Sequence, residues 1–421
     1  MAKFEKWHNE TPFGMFVHWG VHSLTEYHCQ YLMRMRADRK DYEQLYKSFN
    51  PTEYNPDELV NLAYECGMKY LCFTTKHHDG FCMWDTKTTH YNIMNTPYGK
   101  DVFKMLQLAC EKKDIKLCVY YSIPDWHQEN AYNEKSTHQV QPRETDEPNM
   151  NKYKQYVKAQ ITELLTNYGE ISTLFWDIPP KYHDASINDY VRKLQPNILI
   201  NDRGFDDGDF ATPERNIPKG EIFTKPTEAC QSFGRQSWGY RKNEDYYSSD
   251  FITQGIDKIM AMGGNYLLNL GPMSNGEIPD VCIDKFKAVG KWYKKVEESL
   301  HGAKAIVLFK DKENILTTVK DNNLYIHFYG GLNISGMVFD PITVMPKNIT
   351  ILNDSSTPKA SLDIMPTFYQ REDAYTRYLH IYDMPCEKYT ATATVLKLEF
   401  EDGTDIEAMF SKDLYTGESR F

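Results

Sequence analysis

No stretch of this 421-residue chain is long and apolar enough to cross a bilayer as a helix. Positive charge is in short supply. Lys and Arg number 48 against 59 Asp and Glu, for a formal net charge of -11. With no basic stripe either, the balance argues against a nucleic-acid partner. The sequence contains neither a CxxC nor an HExxH pattern, so a structural or peptidase-type zinc site has no support in it. The N-terminus, MAKFEKWHNE, lacks the apolar segment of a signal peptide. That reads as cytoplasmic for the chain as it stands; removal of a signal would make it periplasmic or secreted, and localisation stays open. Cysteine is present in odd number, nine, scattered through predicted strands and helices. Cys72 and Cys118 fall inside apolar runs and read as buried free thiols, which suits a reducing compartment.

What is abundant is aromatic: 30 Tyr, 21 Phe and 7 Trp. Such faces stack on sugar rings and also fill cores. A chain of this length exceeds what one core usually supports, so two domains are expected. From Phe13 to about residue 300, strand and helix patterns alternate. Apolar runs lie in FGMFVHWG, KYLCFTTKHHDGF, KLCVYYSIPDW, STLFWD, NILINDRG and NYLLNLGP, and helical periodicity near 41–49, 56–66, 101–113, 150–167, 187–194 and 280–298. This is the rhythm of a parallel α/β sheet, and its length suits a (β/α)8-like TIM-type barrel. After Gly302 no helical pattern intervenes. Short β-rich runs (AIVLF, NILTTV, LYIHFY, MVFD, ITILN, YLHIY, VLKLEF) predict a C-terminal antiparallel β-sandwich. The expected division is 1–300 and 301–421, with no linker between them.

Tyr168–Pro180, YGEISTLFWDIPP, is the most informative stretch. An apolar run stops at Asp177 and is closed by Pro179-Pro180. A lone acid at the C-terminal end of a buried strand is where a parallel α/β fold displays catalytic groups, although an Asp can equally open a loop or cap a helix. Other predicted strand ends carry His18, His77 with His78, Tyr120, and Asp202 with Arg203. In a barrel these converge on one face. Singly, each has a plain structural reading: a core histidine, an ion-pair partner or, for Glu214 and Glu228, a loop acid. His77 and His78 are adjacent in an extended segment and point opposite ways, so joint chelation of a metal is disfavoured.

FGMFVHWG, KHHDGFCMWD with YN and NTP after it, VYYSIPDW, YGEISTLFWD, INDR, GDFATPE, QSWGY and GGNYLLNLGPMSNGEIP together resemble the α-L-fucosidases of glycoside hydrolase family 29, in family order across almost the whole first 300 residues. The resemblance implies a barrel followed by a sandwich. It also implies a retaining exo-glycosidase that removes terminal α-L-fucose from an oligosaccharide or glycoconjugate without a metal or cofactor. Asp177 matches the nucleophile. GDFATPE resembles the segment carrying the acid/base, which points to Glu214, with Glu228 as the alternative. His18, His77, His78, Tyr120 and Arg203 match positions that hold the sugar hydroxyls and the nucleophile, and Trp238 an aromatic on the sugar's apolar edge. The acid is expected to need burial or a nearby anion to raise its pKa.

Three departures accompany the resemblance. Gln30-Tyr31 stands where many members have Glu-Trp, Phe175-Trp176 replaces a Trp followed by Phe or Asn, and Ile178 follows the nucleophile where Gly is common. Gln30 and Tyr31 are therefore expected to alter the substrate-binding wall and to relax discrimination toward another α-L-hexoside such as α-L-galactoside. A metal-dependent hydrolase built on His18, His77 and His78, and a sugar-binding barrel without catalysis, are the competing readings. Nothing in the sequence decides homo-oligomerisation.

Overall fold

The computed structural model describes residues 2–215, 222–309, 312–342, 344–364 and 377–409. They fold into two compact units. The first runs to Arg215 and takes in 225–247 and 265–288; the second takes in 222–224, 248–264 and the described residues from 289 onward.

The first unit is built on seven parallel strands: β1 (Phe13–Val17), β2 (Tyr70–Lys76), β3 (Lys116–Ser122), β4 (Thr173–Asp177), β5 (Leu199–Ile200), β6 (Glu228–Ser232) and β7 (Asn265–Leu270). Their order is β5-β4-β3-β2-β1-β7-β6. The expected (β/α)8 barrel is thus observed as a curled, seven-stranded parallel sheet. Isolated parallel bridges, Asn201 to Phe210, Ala211 to Thr227 and Glu214 to Cys230, lie between its two edge strands. Helices return the chain between strands, and their starts are chemically marked. Asn55 accepts from the Glu58 amide ahead of Pro56, and Asp101 accepts from the Lys104 amide, satisfying donors that a helix start leaves unpaired. β6 does not follow the apolar pattern. Its sequence, EACQS, is buried throughout, yet carries three polar residues and was not predictable as a strand from hydrophobicity.

Register stacks the inward side chains in layers. Phe16 pairs with Cys72 and Cys72 with Cys118; with Tyr120, Phe175, Cys230 and Leu267 they form one apolar cluster. Above it, at the C-terminal strand ends, Ser122 pairs with Asp177. Below it, Tyr70 fills the floor and its hydroxyl donates to Glu228 Oε2 at 2.6 Å. All nine cysteines are free, and eight are buried.

The second unit contains β8 (Lys304–Ile306), β9 (Ile315–Lys320), β10 (Asn323–Phe328), β11 (Gly336–Pro341), β12 (Asn348–Ile351), β13 (Lys359–Ile364), β14 (Arg377–Tyr382) and β15 (Thr394–Glu399). They form two antiparallel sheets, β12-β15-β10-β9-β8 and β11-β14-β13. Leu324, Ile326 and Leu396 from the first and Phe339, Leu379 and Ile381 from the second share one apolar core. β13, KASLDI, has no strong apolar face, so its sequence does not mark it as a strand. The helix Ser249–Ala261 adds to the elements expected from sequence: Ser248 caps the Phe251 amide, and Ile252, Ile256, Ile259 and Met260 are buried at helical spacing.

Gly14 on β1 is fixed by the floor. A Cβ there would meet the Tyr70 ring at 2.4–2.6 Å. Gly14→Ala is expected to destabilise the first unit by roughly 1–3 kcal/mol through overpacking, read as a lower thermal midpoint. Adding Tyr70→Leu should recover part of the loss.

Candidate active site

Asp177 is the last residue of β4 and is buried. Its carboxylate accepts from Tyr120 Oη on Oδ2 at 2.7 Å and from Arg203 Nη1 on Oδ1 at 3.3 Å, and His78 Nε2 lies 3.7 Å from Oδ2. Burial opposes its ionisation, but the Arg203 guanidinium and the Tyr120 hydroxyl favour the carboxylate, and the carboxyl is held below its ordinary range. Arg203 itself is anchored by donating from Nε to Thr212 Oγ1 at 2.7 Å and from Nη2 to the Thr212 carbonyl. The same Nη1 that reaches Asp177 also clasps Glu214 Oε1.

Two imidazoles have their tautomers set by their partners. Asn269 Nδ2 donates to Ser232 Oγ and to the Trp238 carbonyl, so its Oδ1, 2.5 Å from His18 Nδ1, must accept. Ser122 Oγ donates to the Pro124 carbonyl at 2.7 Å, so it accepts from His78 Nδ1 at 2.6 Å. Both rings therefore carry hydrogen on Nδ1 and keep Nε2 as a bare acceptor. Burial lowers His18 to about 4 and His78 to about 3, and it drives His77 well down too. At neutral pH these are uncharged rings offering lone pairs to hydroxyl donors. His77 lies parallel to the Tyr120 ring at 5.8 Å and Trp238 stacks on His18 at 5.3 Å.

These groups line a narrow cavity of about 100 Å³ at the C-terminal strand ends. His18, Gln30, His77, His78, Tyr120, Asp177, Arg203, Glu214 and Trp238 all face it. Two anticipated residues do not. Tyr31 is half-buried in the short helix Tyr31–Arg34, edge-on to Tyr27 at 6.0 Å, and is not part of the lining. Glu228 sits on the floor at the opposite end of its strand, beneath the apolar cluster. Conversely, Phe16 and His138 line the cavity without a sequence signal that marks them as part of a site, and Ile178, the departure after Asp177, lines it too. His138 lies in the long segment between β3 and the helix Met150–Asn167, tied by Trp126 Nε1 donating to its carbonyl at 3.1 Å. No periodic or motif signal points to it. Ile178 has φ of 59°, a region that strains a β-branched side chain and suits glycine. A glycine after Asp177 would adopt this conformation without strain.

Glu214 does not have the burial expected of a raised acid: its side chain is 40% exposed. Among the described residues, no group of three or more His, Cys, Asp or Glu is arranged to hold a metal ion. A larger hollow, about 740 Å³, opens at the N-terminal strand ends between Lys3, Trp7, Glu170 and Pro196. It contains none of the strand-end groups above, so the chemistry points to the smaller cavity.

Two carboxyl groups on one guanidinium, beside neutral acceptors suited to hydroxyls, are what cleavage of a glycosidic bond calls for, and the chain is a glycoside hydrolase. A family model for alpha-L-fucosidase matches residues 1–298. Tissue alpha-L-fucosidase of Bos taurus is 25% identical over 393 residues, spanning 85% of this chain and 82% of that protein. Alpha-L-fucosidase isoenzyme 1 from Paenibacillus thiaminolyticus superposes with a TM-score of 0.82 at 30% identity, covering 96% of this chain and all of that one. An alpha-L-fucosidase from Vibrio sp. strain EJY3 superposes at 0.83 with 24% identity, covering 95% of this chain and 73% of that one. The chain belongs to the α-L-fucosidase family.

Glu228 supplies a pH test of its place on the floor. Burial raises its carboxyl from 4.5 to about 7 in the folded protein. The folded state then favours the protonated acid, so this group's contribution is most favourable below pH 4.5, declines as pH rises from 4.5 to 7, and stays low above that. Glu228→Gln cannot ionise and can still accept from Tyr70. It should stabilise the fold at pH 8 by at most roughly 3 kcal/mol, read as a higher thermal midpoint, change stability little at pH 4, and leave turnover near wild type. Strong loss of turnover would restore Glu228 as an acid/base candidate.

Proposed function

We propose that the protein is a retaining exo-α-L-fucosidase, with Asp177 as nucleophile and Glu214 as acid/base. The observation that carries this is the shared Arg203 Nη1. Two carboxyls held by one nitrogen lie on the short side of the separations that distinguish retaining sites, about 5 Å, from inverting ones, about 6.5–9.5 Å. Asp177, ionised and buried, attacks C1 as the glycosidic C–O bond breaks, forming a glycosyl ester. Glu214 delivers a proton to the departing oxygen. In the second step Glu214 takes a proton from water, the hydroxyl adds to C1, and Asp177 leaves as carboxylate. For the first step Glu214 must be protonated, so the entering substrate has to displace it from Arg203. His18 and His78 accept from sugar hydroxyls, His77 and Tyr120 wall the ring, and Trp238 covers its apolar edge. We read residues 210–214, with their three bridges, as the element that completes the barrel wall and delivers Glu214 to the mouth.

The substrate is then a fucosylated oligosaccharide or glycoconjugate. A panel of aryl α-L-glycosides, fucoside and galactoside included, with fucosylated oligosaccharides, tests this; absence of fucoside cleavage would overturn it. Asp177→Asn should retain fold and sugar binding and lose nearly all turnover, because an amide cannot form the ester. Glu214→Ala should slow natural substrates by on the order of 10²–10⁴-fold and aryl fucosides with acidic leaving groups far less. Dialysis against a chelator should leave the rate unchanged, which separates this reading from a metal-dependent one.

A further inference from the structure

Gln30 is buried, lines the cavity, and is held at both ends. Its backbone amide donates to His28 Nδ1 at 2.9 Å. Its side-chain oxygen, Oε1, accepts from Arg34 Nε at 2.9 Å, one helical turn on. A guanidinium only donates, so the oxygen must be the atom turned toward Arg34. The amide nitrogen is thereby turned the other way, 3.5 Å from His78 Nε2. That ring nitrogen is a bare acceptor, because Nδ1 spends its hydrogen on Ser122 and Ser122 spends its own on the Pro124 carbonyl. A continuous polarity runs along this wall, from Arg34 through Gln30 to His78. A carboxylate at this position could only accept; here the wall presents an amide donor beside an imidazole acceptor.

We propose that Arg34 is a positioning residue for specificity, which holds the Gln30 amide so that a sugar hydroxyl is read both ways: its oxygen accepts from Gln30 Nε2 and its hydrogen goes to His78 Nε2. This rests on the cavity being the fucose site. Arg34 is exposed and touches Gln30 rather than the cavity, for it is not among the lining residues. Once it is removed, the amide can turn over, place its oxygen against the His78 lone pair, and lose the match.

The decisive experiment is a double-mutant cycle on the full chain with Arg34→Met and Gln30→Ala, reading KM and kcat on an aryl α-L-fucoside and Kd for L-fucose by calorimetry. Arg34→Met alone should raise KM and Kd about 5-fold, the effect of one neutral hydrogen bond, with kcat within 2-fold. Arg34→Lys, which still donates to Oε1, should recover most of the loss. In the Gln30→Ala background, Arg34→Met should change KM and Kd less than 2-fold. Equal effects in both backgrounds, or no effect in the wild-type background, would overturn the positioning role while leaving fucosidase activity standing. Absence of aryl-fucoside turnover in wild type would instead overturn the proposed function, and the L-fucose Kd cycle would then judge Arg34: coupling upholds its role, and no coupling or no binding overturns it.

Discussion

A carboxylate buried as deeply as Asp177 is costly unless charge and hydrogen bonds face it, and the mouth of the first unit is arranged around meeting that requirement. Arg203 supplies the charge, Tyr120 the hydrogen bond. The neighbouring histidines do not compete to be cations, since burial keeps them neutral. The consequence is a division by charge state: one guanidinium holds the anions, while the imidazoles stay uncharged. Parallel pairing makes the arrangement possible. Strands running the same way end on the same side, so His18 after β1, His77 and His78 after β2, Tyr120 in β3 and Asp177 in β4 meet although they are distant in sequence.

Much of this was legible from the chain alone. β1 to β4 are apolar runs that stop at a polar residue and β7 is one that stops at Gly271-Pro272, and hydrophobic patterning finds such runs whatever surrounds them. What escaped depends on partners. β6 is strand because Asn265 to Asn269 pair with it, not because EACQS has a strand-forming character of its own. β13 is held by β14 in the same way. Glu228 reads as a candidate acid from sequence, and only the stacking of Tyr70 and the cysteine layer above it places it on the floor. His138 enters the cavity from a segment with no periodicity, so only tertiary structure could name it. Gln30 was visible as a departure, but its orientation was not: that is fixed by a donor four residues away whose side-chain direction the sequence does not reveal.

Of the positions that depart from the family pattern, Gln30, Phe175 and Ile178 line the cavity, whereas Tyr31 and Trp176 do not. Gln30 turns a donor inward, and Ile178 accepts backbone strain to place a branched side chain in the lining. Each gives the cavity wall a character that a carboxylate or a glycine there would not: an amide offers a donor as well as an acceptor, and a branched side chain fills space that glycine would leave open.

The layered cysteines carry a consequence of another kind. All eight buried thiols, Cys29 through Cys282, belong to the first unit, and Cys386 alone lies in the second. Burial pushes thiols such as Cys72, Cys82 and Cys230 far above their ordinary range, and it is the thiolate that reacts with alkylating reagents. The folded protein is thus a nearly silent substrate for maleimide or iodoacetamide, and each molecule whose first unit opens gains up to eight adducts at once. Intact-mass spectra would show two populations rather than a gradual drift, so the core chemistry of this fold doubles as an internal mass label for its own unfolding.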